Sequence, residues 1–203
     1  MIAPEKSKIA NKAFKIYLNR LLSRHFSSIK VSDSVGKVSK DSVLMIQNHF
    51  SWWDGFVAYY VNDKIFQKDF HITMLSEQLS KYTFFKKLGA IGIDPSSPKS
   101  LLGYFKFSTL LLNEKDKLLV FYPQGKIEML DKEIRMSRGL QRLLKDNSEA
   151  QLVGCHAHIE YGNQKKPTLF ISIFKLSSES IVSEYNLHKN DHLAQISKDM
   201  IFS

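Results

Sequence analysis

Beyond Lys30 the chain alternates short apolar runs with stretches of helical spacing, and that alternation leaves few architectures open. Residues 42–47, 70–75, 90–94, 117–122, 151–156 and 168–176 read as strands. Between them, 51–61, 76–87, 97–113 and 137–145 read as helices. Ser97 followed by Pro98 is a helix start, Ser137 is a second cap, and Gly89 suits a helix end. Strands alternating with helices predict an α/β fold: a single domain with a mixed, mostly parallel sheet flanked by helices. At 203 residues there is enough chain for one substantial core. Residues 177–203 carry little pattern, a polar stretch and then a short helix over 190–201.

The segment ahead of the sheet is different. Residues 5–26 form an amphipathic helix with Ala10, Phe14, Tyr17, Leu18, Leu21 and Leu22 on one side, and Lys8, Lys12, Lys15 and Asn19 opposite. The chain carries a net charge of +9, and seven basic residues against Glu5 alone put +6 of it within residues 1–30. Such a helix can lie in a bilayer interface, or pack on its own domain with its lysines solvated. The expected division is a basic amphipathic membrane-interface helix over 1–30 and the main domain over 31–203. No stretch approaches the roughly 20 apolar residues of a membrane span; the run 101–112 is broken by Lys106. Cys155 is the only cysteine, which suits a reducing compartment. The expected location is the cytoplasm, peripheral on the inner face of the cell membrane, with an anionic membrane surface as partner.

The densest chemical signal is Gln47-Asn48-His49-Phe50-Ser51-Trp52-Trp53-Asp54, directly after a buried strand. Binding groups in parallel α/β sheets gather beyond the carboxyl ends of strands. Ser51 and Asp54 have capping-box spacing, which starts a helix at Ser51 and turns the Asp54 carboxylate back toward His49. A carboxylate there holds an imidazole in one tautomer and stabilises it when protonated. The plainer alternatives are a loop histidine and a helix-capping carboxylate.

This octapeptide resembles the N-H-x-S-x-x-D signature of the glycerolipid acyltransferases, the family containing 1-acylglycerol-3-phosphate acyltransferase. Three further segments are similar in order and spacing. Leu88-Gly89-Ala90-Ile91-Gly92-Ile93-Asp94 resembles the family's G-x-x-x-I-D-R block, and Val120-Phe121-Tyr122-Pro123-Gln124-Gly125 its F-P-E-G-T-R block. Met136-Ser137-Arg138-Gly139 resembles the basic-residue-then-glycine step that follows. The resemblance implies transfer of an acyl group from acyl-CoA or acyl carrier protein to a lipid hydroxyl. His49 would be the base and Asp54 its orienting partner. Asn48, Ser51, Asp94, Pro123, Gln124, Gly125 and Lys126 would contact substrate, with no metal and no cofactor.

The departures bear on the acceptor. Pro95 and Ile127 stand where the family usually has arginine, Gln124 replaces a glutamate, and Lys126 replaces a threonine. The proline usual in a further block is missing around Val153-Gly154-Cys155. Losing two bidentate phosphate grips predicts weak recognition of a phosphate monoester such as lysophosphatidic acid. Lys99, Lys126 and Arg135 are the available substitutes, as point charges or from other positions.

Other readings are weaker. A non-catalytic lipid-binding relative would keep the fold with an altered third block. A nucleic-acid binder would fit the sequence pI of about 9.5, but the charge lies on an amphipathic helix rather than among aromatics, so no nucleic acid is expected. Cys155 and His156 cannot pair as nucleophile and base, because adjacent strand residues point apart. His156 and His158 share a strand face, where ordinary polar residues are commoner than a metal pair. Phe84, Phe85, Leu101, Leu102, Phe105 and Leu110 could line an acyl groove, but helical spacing predicts core.

Overall fold

Every side chain of the strand Val43–Gln47 (β2) is buried, so this segment must lie at the centre of a sheet covered on both faces. In the computed structural model, which describes residues 1–36, 41–128, 133–135, 137–147 and 149–201, it is flanked by Lys117–Phe121 (β5) and Gln151–Glu160 (β6). The remaining strands are Ser28–Asp33 (β1), Asp69–Leu75 (β3), Ala90–Ile93 (β4) and Thr168–Lys175 (β7). The seven run in the order β1-β7-β6-β2-β5-β3-β4. All neighbours are parallel except β6 and β7. The predicted α/β fold with a mixed, mostly parallel sheet is the observed one.

Helices cover both faces. Lys8–His25 (α1), Asp54–Val61 (α2) and Phe84–Leu88 (α4) lie on one side, with Ser76–Lys81 (α3) against β4. Pro98–Leu112 (α5), Arg138–Asp146 (α6) and Ile181–Ile201 (α7) lie on the other. On β5, Leu118 and Val120 join the α1–α2 core while Leu119 joins the α5–α6 core, the alternation of a strand buried on both sides. The expected caps are present: Ser97 Oγ accepts from the Ser100 N–H at 3.2 Å, and Ser137 Oγ from the Leu140 N–H at 3.1 Å. Gly89 ends α4 at φ +109°, where a Cβ would lie 2.1 Å from the Phe70 carbonyl oxygen.

Three elements differ from their sequence patterns for stated physical reasons. The helix expected over 76–87 is two, broken at Tyr82 and Thr83. Leu79 and Leu88 are nine residues apart, so one straight helix would point them to opposite sides. The break lets both be buried. β1 was not legible because it is an exposed edge strand whose apolar residues, Ile29 and Val31, are not fully buried. α7 begins nine residues before the expected 190. Its inner positions are Ile181, Tyr185, Lys189, His192 and Ile196, and the polar pair interrupts the apolar spacing.

Helix α1 packs on the sheet: Phe14, Leu18 and Leu22 are buried in the core shared with α2, while Tyr17 of the same predicted face is exposed. Phe14 stacks on Phe56 and meets Tyr59 edge-on at 4.9 Å, and the Tyr59 hydroxyl donates to Asn11 Oδ1 at 3.1 Å. α1 thus shares the core of the sheet. Leu18→Ala should accordingly cost about 2–5 kcal/mol, the range for emptying a buried leucine site. Urea denaturation of the purified protein without lipid measures this. A bilayer-facing leucine would leave the midpoint unchanged.

Candidate active site

β2 and β5 are adjacent and parallel, so the loops leaving their carboxyl ends lie side by side. The first residues of the β2 loop are held from below. Asn48 exchanges two hydrogen bonds with the backbone of Ala157 on β6, at 2.9 and 2.8 Å. Gln47 donates through Nε2 to the Asp54 carbonyl at 3.1 Å. His49 follows from this anchored pair.

The chain then turns so that Asp54 opens α2 with its side chain 1% exposed. A carboxylate buried to that degree must be fully hydrogen-bonded. Oδ2 accepts from the Phe50 N–H at 2.8 Å, the Ser51 N–H at 3.0 Å and His49 Nδ1 at 2.6 Å. Oδ1 accepts from Ser51 Oγ at 3.0 Å. The capping arrangement of Ser51 and Asp54 is present with a shift: Ser51 Oγ accepts from the Trp53 N–H at 3.1 Å, and the helix starts at Asp54, not Ser51. An ionised carboxylate only accepts, so the Nδ1 facing it carries the proton of that bond and Nε2 is the ring nitrogen left free of it.

Three further contacts hold His49, one on its ring and two on its backbone. Tyr122, the residue after β5, stacks on His49 at 4.6 Å between centroids. Gln124 Oε1 accepts the His49 N–H at 2.9 Å, and the His49 carbonyl accepts the Glu128 N–H at 2.9 Å. Burial, and then the charge of Asp54, push the Tyr122 phenol well above its ordinary value, so it stays neutral beside the pair. Tyr122 lies within the third sequence block, but nothing in the sequence marks it as a partner of His49.

The His49 side chain is 27% exposed and borders a cavity of about 760 Å³. Ser51, Pro123, Gln124, Gly125 and Lys126 line it as well. Asn48 and Asp94 do not. Asn48 is occupied by β6, and Asp94 accepts from the Ser96 hydroxyl and N–H, which lower its pKa. Phe85, Leu101 and Phe105 line the cavity, whereas Phe84, Leu102 and Leu110 are exposed. Pro95 and Ile127 are on its wall. Among the described residues that wall carries one lysine and no arginine. Lys126 is 74% exposed, with Nζ 3.5 Å from Glu128. Of the last sequence block, Ser137 and Gly139 line the cavity, Arg138 begins α6, and Met136 lies outside the described residues.

The Acyltransferase family model matches residues 28–153, which include the carboxylate-held histidine beyond the central strand of this mostly parallel sheet. The chain belongs to that family. The structure is similar to that of PlsC, the 1-acyl-sn-glycerophosphate (LPA) acyltransferase from Thermotoga maritima, with a TM-score of 0.62 and 14% sequence identity. The match covers 91% of this chain and 79% of that one. No curated protein matches the chain.

The other histidines lie elsewhere. His156 is buried between β6 and α7, its ring 4.9 Å from that of His192. Among the described residues no group of three His, Cys, Asp or Glu could hold a metal. Cys155 faces the α1–α2 core, on the opposite side of the sheet from His156. Burial, then the neighbouring His192, His158 and Lys189, hold the His156 pKa well below its ordinary value. Burial, then His158, lowers that of His192 to about 4, and burial, then Lys6, lowers that of His71 to about 4. These rings are neutral in the folded chain, while the unfolded chain protonates them below about pH 6.5. Stability should be full above that pH and fall as the pH drops from about 6.5 toward 4, because the unfolded chain binds protons that the buried rings do not. Urea midpoints measured across this window check it; a flat profile contradicts the burial of neutral histidines.

Proposed function

We propose that this chain transfers a fatty acyl group from acyl-CoA or acyl carrier protein to a lipid hydroxyl, with His49 as general base and Asp54 as the residue that orients it. The observation that carries this reading is the 2.6 Å contact between His49 Nδ1 and the buried Asp54 carboxylate, which leaves Nε2 as the basic nitrogen. A hydroxyl is a poor nucleophile at neutral pH and needs such a base. Nε2 takes the hydroxyl proton as the oxygen bonds to the thioester carbonyl carbon. The carbon–sulfur bond then breaks and the proton passes to the departing sulfur. Gln124 uses its carbonyl on His49, so its amide N–H groups are the donors it offers to substrate.

The acceptor is a lipid or glycolipid hydroxyl without a phosphate monoester beside it. A phosphate entering the site must lose water, and one exposed lysine offsets that poorly without arginine forks. In a side-by-side assay, lysophosphatidic acid should be acylated less well than neutral or sugar-bearing hydroxyl lipids. His49→Ala should lower turnover by roughly 10² to 10⁴ with the fold retained. Asp54→Asn should also cause a large loss, because the tautomer and the charge both change. Wild-type transfer by purified His49→Ala would rule the mechanism out.

The site works on lipid at an anionic membrane surface, on the cytoplasmic side. No described helix is long and apolar enough to cross a membrane. Contact is instead assigned to a rim of exposed aromatic rings, Trp52, Tyr17, Phe84 and Tyr82, joined to one another through Phe14, Phe56 and Phe85. Aromatic rings favour the membrane–water boundary, and exposed Arg20, Arg24 and Lys81 stand nearby in the chain. Binding to anionic vesicles should weaken with salt, and the double change Trp52→Ser with Phe84→Ser should lower it by about tenfold or more. Cosedimentation measures both; unchanged binding by the double variant removes the rim from the interface.

A further inference from the structure

Helix α7 lies beyond the segment that matches the family model, which ends at residue 153, yet consecutive residues near its start tie it to the walls of the site. Glu184 fixes the start of the helix: the Ser177 N–H donates to Oε2 at 2.7 Å, and the Ser180 hydroxyl donates to Oε1. Tyr185 and Asn186 then leave the helix in directions about 100° apart, toward two different segments. Neither side chain lines the cavity.

Tyr185 reaches the end of the central strand. Its side chain is fully buried in a cluster with Ile46 of β2, Leu140 of α6 and Phe174 of β7. Gly154 on β6 makes room for that cluster, because a Cβ there would lie 2.1 Å from Phe174 Cε2. The Tyr185 hydroxyl donates to the Cys155 carbonyl at 2.9 Å. Cys155 is paired with Gln47, the last rung between β2 and β6, so this bond is made where the ladder ends and the loop to His49 begins. The phenol oxygen in turn accepts from the Asn48 backbone N–H. With the two bonds from the Asn48 side chain to Ala157, that residue is held through its backbone and its side chain. Burial pushes the Tyr185 phenol well above its ordinary value, so it stays a neutral donor.

Asn186 reaches a different wall. It exchanges two hydrogen bonds with the Ile134 backbone, accepting from the N–H at 3.0 Å and donating to the carbonyl at 3.2 Å. Ile134 is itself buried, in the same cluster as Leu140 and Tyr185. In the chain it stands between Lys126 and Ile127 on one side and Ser137 and Gly139 on the other, and all four line the cavity. One device therefore appears twice. An asparagine side chain exchanging both bonds with one backbone unit holds the β2 loop on β6 and this wall on α7.

We propose that the start of α7 sets the geometry of the site: Tyr185 is a positioning residue for His49, acting through Asn48, and Asn186 positions the wall that carries Lys126 and Ser137. This rests on the acyl-transfer reading above and adds which residues outside the cavity hold its parts in register. The line along which Nε2 takes a proton is fixed by the His49 backbone, whose immediate neighbour is Asn48. Without the Tyr185 hydroxyl, the Asn48 N–H and the Cys155 carbonyl, both buried, lose that partner, and the strand end shifts to find another. The displacement falls on the base, where a small misplacement slows the chemical step more than it weakens binding. Loss of the Asn186 bonds instead loosens a wall that touches substrate, which is felt in binding.

Three variants of the full chain test this. Tyr185→Phe removes the hydroxyl and keeps the ring, and Asn186→Ala removes the second contact from a half-buried position. Ile196→Ala empties a buried site on the same helix, roughly 16 Å farther along it, and controls for lost packing of α7. Each is compared with wild type by transfer kinetics per folded molecule, by urea midpoint, and by the NMR signal of the proton on His49 Nδ1, assigned by its loss in His49→Ala. Tyr185→Phe should lower kcat about ten- to a hundredfold, keep both KM values within about twofold, and shift the Nδ1 proton signal. Asn186→Ala should raise the KM of at least one substrate about fivefold or more, with kcat within about twofold and the signal unmoved. Ile196→Ala should lower the urea midpoint at least as much as Tyr185→Phe, while its kinetics and its signal match wild type.

Wild-type kcat in Tyr185→Phe, or an equal loss in Ile196→Ala, overturns the role of Tyr185. A fall in kcat with an unmoved Nδ1 proton signal overturns the route through Asn48. Wild-type kinetics in Asn186→Ala overturn the role of Asn186. A wild-type chain that transfers to no acceptor overturns the acyl-transfer reading. In that case a signal that still moves with Tyr185→Phe, and not with Ile196→Ala, upholds the coupling of α7 to the His49–Asp54 pair.

Discussion

The buried carboxylate of Asp54 sets the terms for the rest of the site. A charge taken out of water is costly unless its lone pairs are filled, and removing one partner exposes the whole penalty. Here the Phe50 and Ser51 N–H groups, the Ser51 hydroxyl and His49 all converge on it. Meeting that demand dictates the turn between β2 and α2 and the plane and tautomer of the imidazole. The geometry needed to polarise His49 is thus the geometry that makes the buried charge tolerable. A loop organised in this way has the preorganisation that the proposed base catalysis requires.

The loop is also tied to the sheet on both sides. Asn48 is held by β6 and the His49 N–H by Gln124 beyond β5, so three neighbouring strands converge on one histidine. β5 stays paired with β2 beyond the point where its ladder with β3 ends, and residues on both sides of that parting line the cavity. α1 then has a second task. Its Phe14 also lines that cavity, so part of the helix's apolar stripe forms a wall of it. Lys8, Lys12 and Lys15 of the helix remain exposed outside that core.

The parts legible from the chain alone share a physical character. β2 and β5 stood out because strands covered on both faces are continuous apolar runs. The caps at Ser97 and Ser137, and the spacing of His49, Ser51 and Asp54, were readable because each is a hydrogen-bonding pattern closed within a few residues. β1, the break at Tyr82 and the true start of α7 were not. An edge strand, a rotation between two buried leucines and a helix with Lys189 and His192 on its inner side take their conformation from what they pack against.

By itself, then, the sequence determined the α/β alternation, the helix starts and the local pairing of His49 with Asp54, since short-range hydrogen bonds and apolar periodicity need no distant partner. Tertiary structure decided the remainder. It brought Gln124 to His49 across 75 residues of chain, turned Asn48 and Asp94 to backbone and loop bonds away from the cavity, and placed α1 on the core. It also set where β3 and β5 part. Those outcomes depend on which strands become neighbours and how whole faces fit. That is a property of the packed sheet, and no local segment contains it.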